Sequence, residues 1–137
     1  MRTYALLFYC VSAYSVLFSQ VPHLVIPIGQ TAGIRSVAFS PDGQFVLTGS
    51  EDRSAILWNL EGKQIQSYKG HEDAINSVAF SPGGEYALTG SDDISARLWE
   101  VKTGMEMWRT IEHAEDITAV AFSPLGNRML TGSRDRL

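Results

Sequence analysis

The stretch SVAFSP at residues 36–41 decides the fold, because it returns twice along the chain. It recurs as SVAFSP at residues 77–82 and as AVAFSP at residues 119–124, with starting points 41 and 42 residues apart. Between residues 36–60 and residues 77–101, 16 of 25 positions are identical. A repeat of this length indicates one structural unit used several times in succession.

Each repeat contains the signals of four short strands. In the first repeat, the apolar alternation of residues 34–39 stops at the tetrapeptide SPDG, where proline presets φ and glycine tolerates the exit of a type I turn. Further strands are predicted at residues 45–49, 54–59 and 64–69, separated by acidic or glycine-containing turns. Four strands in a period of ~40–45 residues are typical of a β-propeller blade.

The middle repeat resembles a unit of the WD-repeat family, since Gly70-His71 opens it and Leu98-Trp99-Glu100 closes its third strand. The resemblance implies an all-β fold: a partial propeller of four-stranded antiparallel blades, about two and a half repeats long, preceded by an apolar N-terminal segment. The predicted divisions of the chain are a signal peptide or signal anchor at 1–19 and a propeller portion at 24–137, comprising a stray outer strand at 24–28, repeat 1 at 34–69, repeat 2 at 75–111 and a truncated repeat 3 at 117–137.

Family blades are often braced by hydrogen-bonded histidine, serine, aspartate and tryptophan side chains. The resemblance implies that a buried indole N–H finds its partner in this set, leaving no polar group unpaired. In the first repeat Gln30 stands at the histidine position, so that brace is either incomplete or partly served by glutamine. The predicted brace residues are His71, Ser91, Asp93, Trp99, Ser50, Asp52, Trp58, His113, Ser133 and Asp135.

Five aromatic residues recur at repeat positions and are therefore predicted to form the core: Phe39, Phe80, Phe122, Trp58 and Trp99. Propellers close with typically 4–8 blades, and each blade buries its faces only against its neighbours. We therefore expect this chain to be the N-terminal part of a longer propeller protein, or to associate with itself through open blade edges.

Family members usually bind partners on the face that carries the opening loops and tight turns. Charged residues at these positions are the predicted partner-binding residues: Glu51, Asp92, Arg134, Asp73 and Asp116. No catalytic residue, metal site or cofactor is predicted. The serine, histidine and aspartate of the middle repeat match a hydrolase triad in composition only, because each has a structural role. His71 and His113 lie one blade apart and should not converge on a metal ion.

The charge balance argues against nucleic acid as a partner. The chain carries 11 basic and 15 acidic residues, a formal net charge of −4, without the basic stripe that tracks a phosphate backbone. The expected partners are proteins.

The N-terminal segment has the pattern of a secretory signal. Arg2 is the only formally charged residue before Arg35, and 13 of the 15 residues at 4–18 are apolar or aromatic. The segment is shorter than the ~20 residues of a spanning helix, so the membrane is a partner only if it remains uncleaved as an anchor. The expected location is periplasmic, extracellular or membrane-anchored. The alternative is a buried first strand or helix in a cytoplasmic protein.

The function predicted from these observations is a non-catalytic, protein-binding scaffold of the WD-repeat type. The alternative is a regulatory or substrate-recruiting propeller arm of a larger exported enzyme, with a protease-like or kinase-like domain farther along the chain. The full reading frame separates these two hypotheses.

Overall fold

The computed structural model describes residues 29–136, which fold into ten β-strands in three antiparallel sheets. Two sheets have four strands, in the orders β1-β2-β3-β4 and β5-β6-β7-β8, and the third pairs β9 with β10. The predicted partial all-β propeller is confirmed. The strands are β1 (Ile34–Phe39), β2 (Phe45–Ser50), β3 (Ala55–Asn59), β4 (Gln64–Tyr68), β5 (Ile75–Phe80), β6 (Tyr86–Ser91), β7 (Ala96–Glu100), β8 (Glu106–Thr110), β9 (Ile117–Phe122) and β10 (Met129–Ser133).

We refer to the three sheets as blades 1, 2 and 3. They lie within the three predicted repeats, one blade in each. The predicted signal segment at 1–19 and the predicted outer strand at 24–28 lie outside the described residues. Within residues 29–136, no helix has the length and apolar character needed to cross a bilayer.

The first hairpin of each blade closes through the predicted SPDG-type turn. In blade 1 the N–H of Gly43 donates to the carbonyl oxygen of Ser40 at 2.8 Å, and Gly43 has a φ of 69°. Glycine suits this left-handed conformation because it has no Cβ to clash. The equivalent Gly84 and Gly126 have φ values of 81° and 72°. The turn sequence therefore sets the register of β1 on β2.

The hydrophobic core lies between consecutive blades. Ile75 and Val78 on β5 of blade 2 pack against β2 of blade 1, and they are 0% and 6% exposed. A Cβ on Gly49 would lie 2.7 Å from Cγ2 of Ile75 and 2.8 Å from Cγ1 of Val78. Gly49, in the sequence LTGS at residues 47–50, is therefore the socket into which the next blade's branched side chains fit.

The same contact is repeated between blades 2 and 3. A Cβ on Gly90 would lie 2.6 Å from Cγ2 of Ile117 and 2.8 Å from Cγ1 of Val120. Full burial of one such aliphatic side chain stabilises the fold by about 1.5–3 kcal/mol. Each blade is consequently stabilised by its neighbour through one recurring set of residues.

Hydrogen bonds cross the same joints. The N–H of Val78 donates to Oγ of Ser36 at 3.1 Å, and the N–H of Val120 donates to Oγ of Ser77 at 3.1 Å. The serine that opens the SVAFSP repeat thus couples the first strand of one blade to the first strand of the next.

The prediction that Phe39 belongs to the core is wrong. Its side chain is 67% exposed, whereas Phe80 and Phe122 are partly buried against the blade before them. Phe39 lies on the outward side of blade 1, where no earlier blade covers it within the described residues. Trp58 and Trp99, each 2% exposed, do belong to the core.

Candidate interaction face and the braces that support it

One end of the blades collects the loops that carry the candidate binding residues. Because consecutive strands are antiparallel, the turns after β2 and β6 emerge at the same end as the loops that enter β5 and β9. The turns after β1 and β3 emerge at the opposite end. The sequence Glu51-Asp52 in the β2–β3 turn and the loop before β5 therefore share one end of the structure.

In blade 2 a chain of hydrogen bonds fastens this end to the core. Nε1 of Trp99 donates to Oγ1 of Thr89 at 2.9 Å, and Oγ1 of Thr89 lies 2.7 Å from Nε2 of His71. Nδ1 of His71 lies 2.8 Å from Oδ2 of Asp93. A neutral imidazole with its proton on Nδ1 gives every link a donor and an acceptor.

The hydroxyl in this chain belongs to Thr89, and not to Ser91 as predicted. Both residues point to the same side of β6, since side chains two positions apart share a face. Trp99 is paired in register with Ala87, which brings its indole diagonally to Thr89. Ser91, at the end of the strand, instead donates to the carbonyl oxygen of Asp73 at 3.0 Å and accepts from the N–H of Asp93.

Blade 1 builds an equivalent chain with glutamine. Nε1 of Trp58 donates to Oγ1 of Thr48 at 2.8 Å, and this hydroxyl donates to Oε1 of Gln30 at 2.8 Å. The amide nitrogen of Gln30 donates to the carbonyl oxygen of Ser54 at 3.1 Å, while the Ser54 hydroxyl donates to Oδ1 of Asp52. An amide therefore replaces the imidazole, and Ser54 provides the connection to the carboxylate. Ser50 lies outside this chain and contacts the carbonyl oxygen of Ala32.

Blade 3 contains the first half of the brace. Nδ1 of His113 lies 2.7 Å from Oδ2 of Asp135, and its Nε2 lies 2.8 Å from Oγ1 of Thr131. Ser133 donates to the carbonyl oxygen of Glu115 at 2.9 Å, as its counterparts do in the other blades. Threonine, and not serine, is thus the central hydroxyl in all three repeats.

The electrostatics of Asp93 show how firmly its carboxylate is held. Burial alone would raise the pKa of Asp93, but hydrogen bonds from His71, Ser95 and the N–H of Glu72 lower it well below its usual range. Asp52 in blade 1 also has a lowered pKa, because bonds from Ser54 and the N–H of Thr31 outweigh its burial. In both blades the carboxylate stays ionised and secures the opening loop.

A buried cation adds to the brace of blade 2 and has no counterpart in blade 1. Arg97 on β7 is 7% exposed; its Nη1 donates to Oε2 of Glu106 at 2.9 Å, and its Nη2 lies 3.6 Å from Oδ2 of Asp93. The equivalent position in blade 1 is Ile56. Arg97 was not among the predicted brace residues, and its only signal in the sequence is a charge at a repeat position that is apolar in the first repeat.

This geometry gives the Ser91, His71 and Asp93 set no hydrolytic chemistry. The Ser91 hydroxyl is directed to a backbone carbonyl, and both nitrogen atoms of His71 are already engaged by Thr89 and Asp93. A nucleophilic serine needs contact with its base and an accessible oxygen. Ser91 is fully buried. In residues 29–136, no three histidine, cysteine, aspartate or glutamate side chains converge in a metal-binding arrangement.

Arg35 organises the charged surface at the loop end. It lies at the β-bulge of β1, where the register with β2 shifts between Ile34 and Ser36. Its Nε donates to Oε1 of Glu51 at 3.1 Å, and its Nη1 donates to Oδ2 of Asp92 at 2.9 Å. A bulge redirects a side chain away from the regular ladder. Arg35 therefore joins two predicted binding residues from neighbouring blades.

Asn76 occupies the equivalent bulge of blade 2. It accepts from Nη1 of Arg35 at 2.6 Å, and its Nδ2 donates to Oδ1 of Asp92 and, at 3.0 Å, to the carbonyl oxygen of Ile117 in blade 3. This network links all three blades. It consists of side chains that still contact solvent, with 37% of the Arg35 side chain and 49% of the Glu51 side chain exposed.

The remaining predicted binding residues fall into two situations. Arg134 forms an ion pair with Asp116, whose Oδ2 lies 2.9 Å from Nη1 of Arg134. Asp73 is exposed and contacts the N–H of Ala74. We call the surface that carries the Arg35 network and the Arg134–Asp116 pair the loop face, and define it as Arg35, Glu51, Asn76, Asp92, Asp116 and Arg134.

Arg35 and Asn76 were not among the predicted binding residues. A signal was present, since the residue after the first isoleucine of each repeat varies between Arg35, Asn76 and Thr118 while its neighbours hardly change. Variation at one fixed position inside near-identical repeats indicates a side chain released from the packing constraints of the blade.

Several relatives share single repeats with this chain. The general transcriptional corepressor TUP1 of Saccharomyces cerevisiae is 52% identical over 40 residues, covering 28% of this chain and 6% of the relative. Protein HIR1 of Kluyveromyces lactis is 44% identical over 39 residues, covering 28% and 4%. A WD repeat-containing protein of Synechocystis sp. is 39% identical over 44 residues, covering 32% and 14%. The matched stretch is thus a small part of each relative's length.

The family comparison covers most of the chain. The WD40 family, described as WD domain, G-beta repeat, matches residues 21–59, 62–100 and 106–137. Each complete match ends at the third strand of a blade, at Asn59 or Glu100 just after the buried tryptophan. Together with the braces and the blade-to-blade packing, this match shows that the chain belongs to the WD40 repeat family.

Proposed function

We propose that this chain is a non-catalytic scaffold that binds a protein partner through the loop face. The observation that carries the proposal is the position of Arg35, which bridges Glu51 of its own blade and Asp92 of the next while a third of its side chain stays exposed. Charged groups that are already oriented before a partner arrives lose less conformational freedom on binding. The face is therefore preorganised for a polar contact.

The chemistry of the loop face favours a partner with a mixed charge pattern. Glu51, Asp92 and Arg35 place two acids around one base on blades 1 and 2, whereas Arg134 and Asp116 form a balanced pair on blade 3. Complementary charges of this kind contribute more to specificity and association rate than to bulk affinity. Relatives in the family include a protein named as a transcriptional corepressor. That name supports a role in protein assemblies for this chain.

The test compares partners captured by variants of the full-length protein in its own cells. The variant Arg35→Ala with Asp92→Asn removes the bridge between blades 1 and 2. The matched control, Lys63→Ala with Lys102→Ala, removes two exposed charges at the opposite end of the same blades. We expect quantitative affinity purification to show one set of proteins lost with the first variant and retained with the control. Retention of every partner by the loop-face variant would rule out the proposal.

We further propose that the segment at 1–19 directs export. The proposal is supported by its single basic residue, Arg2, followed by a short apolar stretch ending at Phe18. N-terminal sequencing of the mature protein tests it. Cleavage after Ser15 or after Ser19 is the expected result, and an intact Met1 on a soluble cytoplasmic product contradicts export.

A further inference from the structure

A small groove lies between blades 1 and 2 at the end of the structure opposite the loop face, which we call the turn end. The β1–β2 turn, the β5–β6 turn and the loop after β7 enclose about 130 Å³ there. Both blades have all four strands, so this joint is complete in the described structure. Its walls are mostly apolar and include Pro41, Phe45, Phe80 and Val101. An apolar cavity of about 150 Å³ holds benzene, so this groove has room for one branched aliphatic side chain.

The third position of the first turn differs in every repeat, where it is Asp42, Gly83 or Leu125. Asp42 stabilises its own turn, because its carboxylate accepts from the hydroxyl of Ser40 and from the N–H of Gln44. These two bonds, the one from Ser40 first, lower the pKa of Asp42, so the carboxylate is ionised at neutral pH. Gly83 lines the groove without a side chain and leaves it open. The side chain of Leu125 is 86% exposed.

The exposure of Leu125 follows from its place in the turn. Asp42 and Gly83 hold the same position in four-stranded blades that have another blade alongside, and both are exposed. In blade 3 the turn serine, Ser123, bonds to Oδ1 of Asn127, so Leu125 has no part in stabilising the turn. A single apolar side chain on a surface is ordinary. Here, however, the same chain also carries an open groove that fits such a side chain.

The charges beside Leu125 and beside the groove are opposite. Arg128, three positions after Leu125, is exposed and forms no ion pair with an acid of residues 29–136. The same position holds Phe45 in blade 1, and that side chain stays half-buried beside the complete blade 2. The longer arginine therefore keeps its charged head in solvent. The groove carries the exposed carboxylate of Asp42 in its lining.

We propose that two copies of this chain associate through their turn ends, with Leu125 of each copy inserted into the groove of the other. Leu125 lies one blade beyond the groove of its own chain and is not part of its lining. Because both features lie at the turn end, a two-fold axis across that end brings each Leu125 opposite the other copy's groove. Arg128 of each copy then comes beside Asp42 of the other.

This arrangement closes on itself, since the two-fold axis makes the same contact twice. The loop faces of both copies point outward and remain accessible. The contact uses none of the loop-face residues, so it does not depend on the function proposed above.

Sedimentation velocity of the full chain over a range of concentrations tests the association. We expect a reversible equilibrium between monomer and dimer. Leu125→Asp should weaken the dimer about tenfold or more, because each copy loses the burial of one leucine and gains an acid near Asp42. The matched control Ile111→Asp places the same charge at a residue that is 73% exposed at the loop end, and it should leave the dimer unchanged.

A second variant, Gly83→Leu, fills the groove. Gly83 is not among the glycines with positive φ, and the nearest atoms to a Cβ there belong to the flexible side chain of Glu85. Blade 2 should therefore keep its fold, which circular dichroism and the melting curve check. Gly83→Leu alone should also weaken the dimer about tenfold or more.

Mixing the two variants gives the sharpest result. Leu125→Asp keeps an open groove and Gly83→Leu keeps Leu125, so one of the two contacts forms in a mixed dimer. Fluorescence-detected sedimentation of labelled Leu125→Asp should show a heavier species when unlabelled Gly83→Leu is added, and none when unlabelled Leu125→Asp is added. A chain that stays monomeric up to about 1 mM, a dimer indifferent to Leu125→Asp, equal weakening by Ile111→Asp, or absence of the mixed dimer would each overturn the proposal.

Discussion

Strands β1 and β5 carry the same four residues, SVAF, and yet they occupy opposite environments. Val37 and Phe39 on β1 are 63% and 67% exposed, whereas Val78 on β5 is 6% exposed and Phe80 is partly buried. The two strands have the same register with their second strands and the same bulge. Apart from the bulge residue, which is Arg35 in β1 and Asn76 in β5, they differ in whether another blade precedes them in the described structure.

How much a repeat position contributes to stability therefore depends on whether a neighbouring blade packs against it. Local sequence determines that these residues form a strand and which face carries Val37 or Val78. Burial then depends on whether the socket of a previous blade, such as Gly49, is present to receive that face. Substitutions at equivalent positions should consequently have unequal effects on stability.

The largest difference is expected at the first isoleucine of each repeat. Ile75 is 0% exposed and Ile34 is 42% exposed. Ile75→Ala should lower the free energy of unfolding of the full chain by about 3 kcal/mol, because it removes buried methyl groups and leaves a cavity. Ile34→Ala, the matched control, should change it by less than about 1 kcal/mol. Urea denaturation followed by tryptophan fluorescence measures both, and equal losses would mean that β1 is also covered.

The central hydroxyl of the brace should show the next largest effect. Thr89→Val keeps the side-chain shape but leaves the N–H of Trp99 and Nε2 of His71 without a partner, at a cost of about 2 kcal/mol. Ser91→Ala removes only the loop contacts at the end of the strand and should cost about 1 kcal/mol. The same denaturation assay applies. A larger loss from Ser91→Ala would restore serine as the central hydroxyl.

The socket glycines provide a third comparison. Gly90→Ala places a Cβ within 2.6 Å of Ile117, and the resulting overpacking should cost about 1.5 kcal/mol. Gly132→Ala meets nothing closer than the Cβ of Ala119 at 3.7 Å and should change the stability of the full chain by less than about 0.5 kcal/mol. Thermal unfolding of both variants gives the ranking. Comparable losses would show that Gly132 is packed against something in solution.

The smallest effect should appear as a difference in acid sensitivity between blades. The pKa of Asp93 is lowered in the folded state, so the stability it contributes is present above its unfolded pKa of ~3.9 and is lost as the pH falls below that value. Asp93→Asn should therefore be less stable at pH 7 and flatter in its pH dependence between about 5 and 3. Blade 1 has Gln30 at the position of the histidine, so Asp52→Asn should flatten the dependence of stability on pH less than Asp93→Asn does. If the stability of wild type and of Asp93→Asn changed with pH in parallel, the lowered pKa of Asp93 in the folded state would be contradicted.

Much of the fold was predictable from local chemistry. The SPDG turn, the alternation on either side of it and the period of 41 or 42 residues predicted four-stranded blades, and the structure contains them. The burial of Trp58 and Trp99 followed from their recurrence. The prediction that Phe39 is buried was wrong because a repeated sequence pattern identifies the strands of one blade, but not whether another blade packs against them.

The candidate site was less predictable, because side chains two positions apart on a strand share a face. Thr89 and Ser91 were equivalent by periodicity, and only the diagonal contact from Trp99 on β7 across to β6 selects Thr89. The bridging role of Arg35 depends on a bulge, and its partner Asp92 is 57 residues away. Such contacts arise from the stacking of blades, so the variability of this repeat position can mark Arg35 but cannot identify its partner.

The identical joints between blades bear on how such a chain can change in length. Blade 1 meets blade 2 through Gly49 and Ile75, and blade 2 meets blade 3 through Gly90 and Ile117. An in-frame duplication or deletion of one 41-residue unit would bring the same two surfaces together again. Genetic gain or loss of a whole unit should therefore preserve the glycine–isoleucine contacts and the serine hydrogen bonds between blades. An insertion or deletion of even a few residues inside a unit would misalign the glycine with its isoleucine.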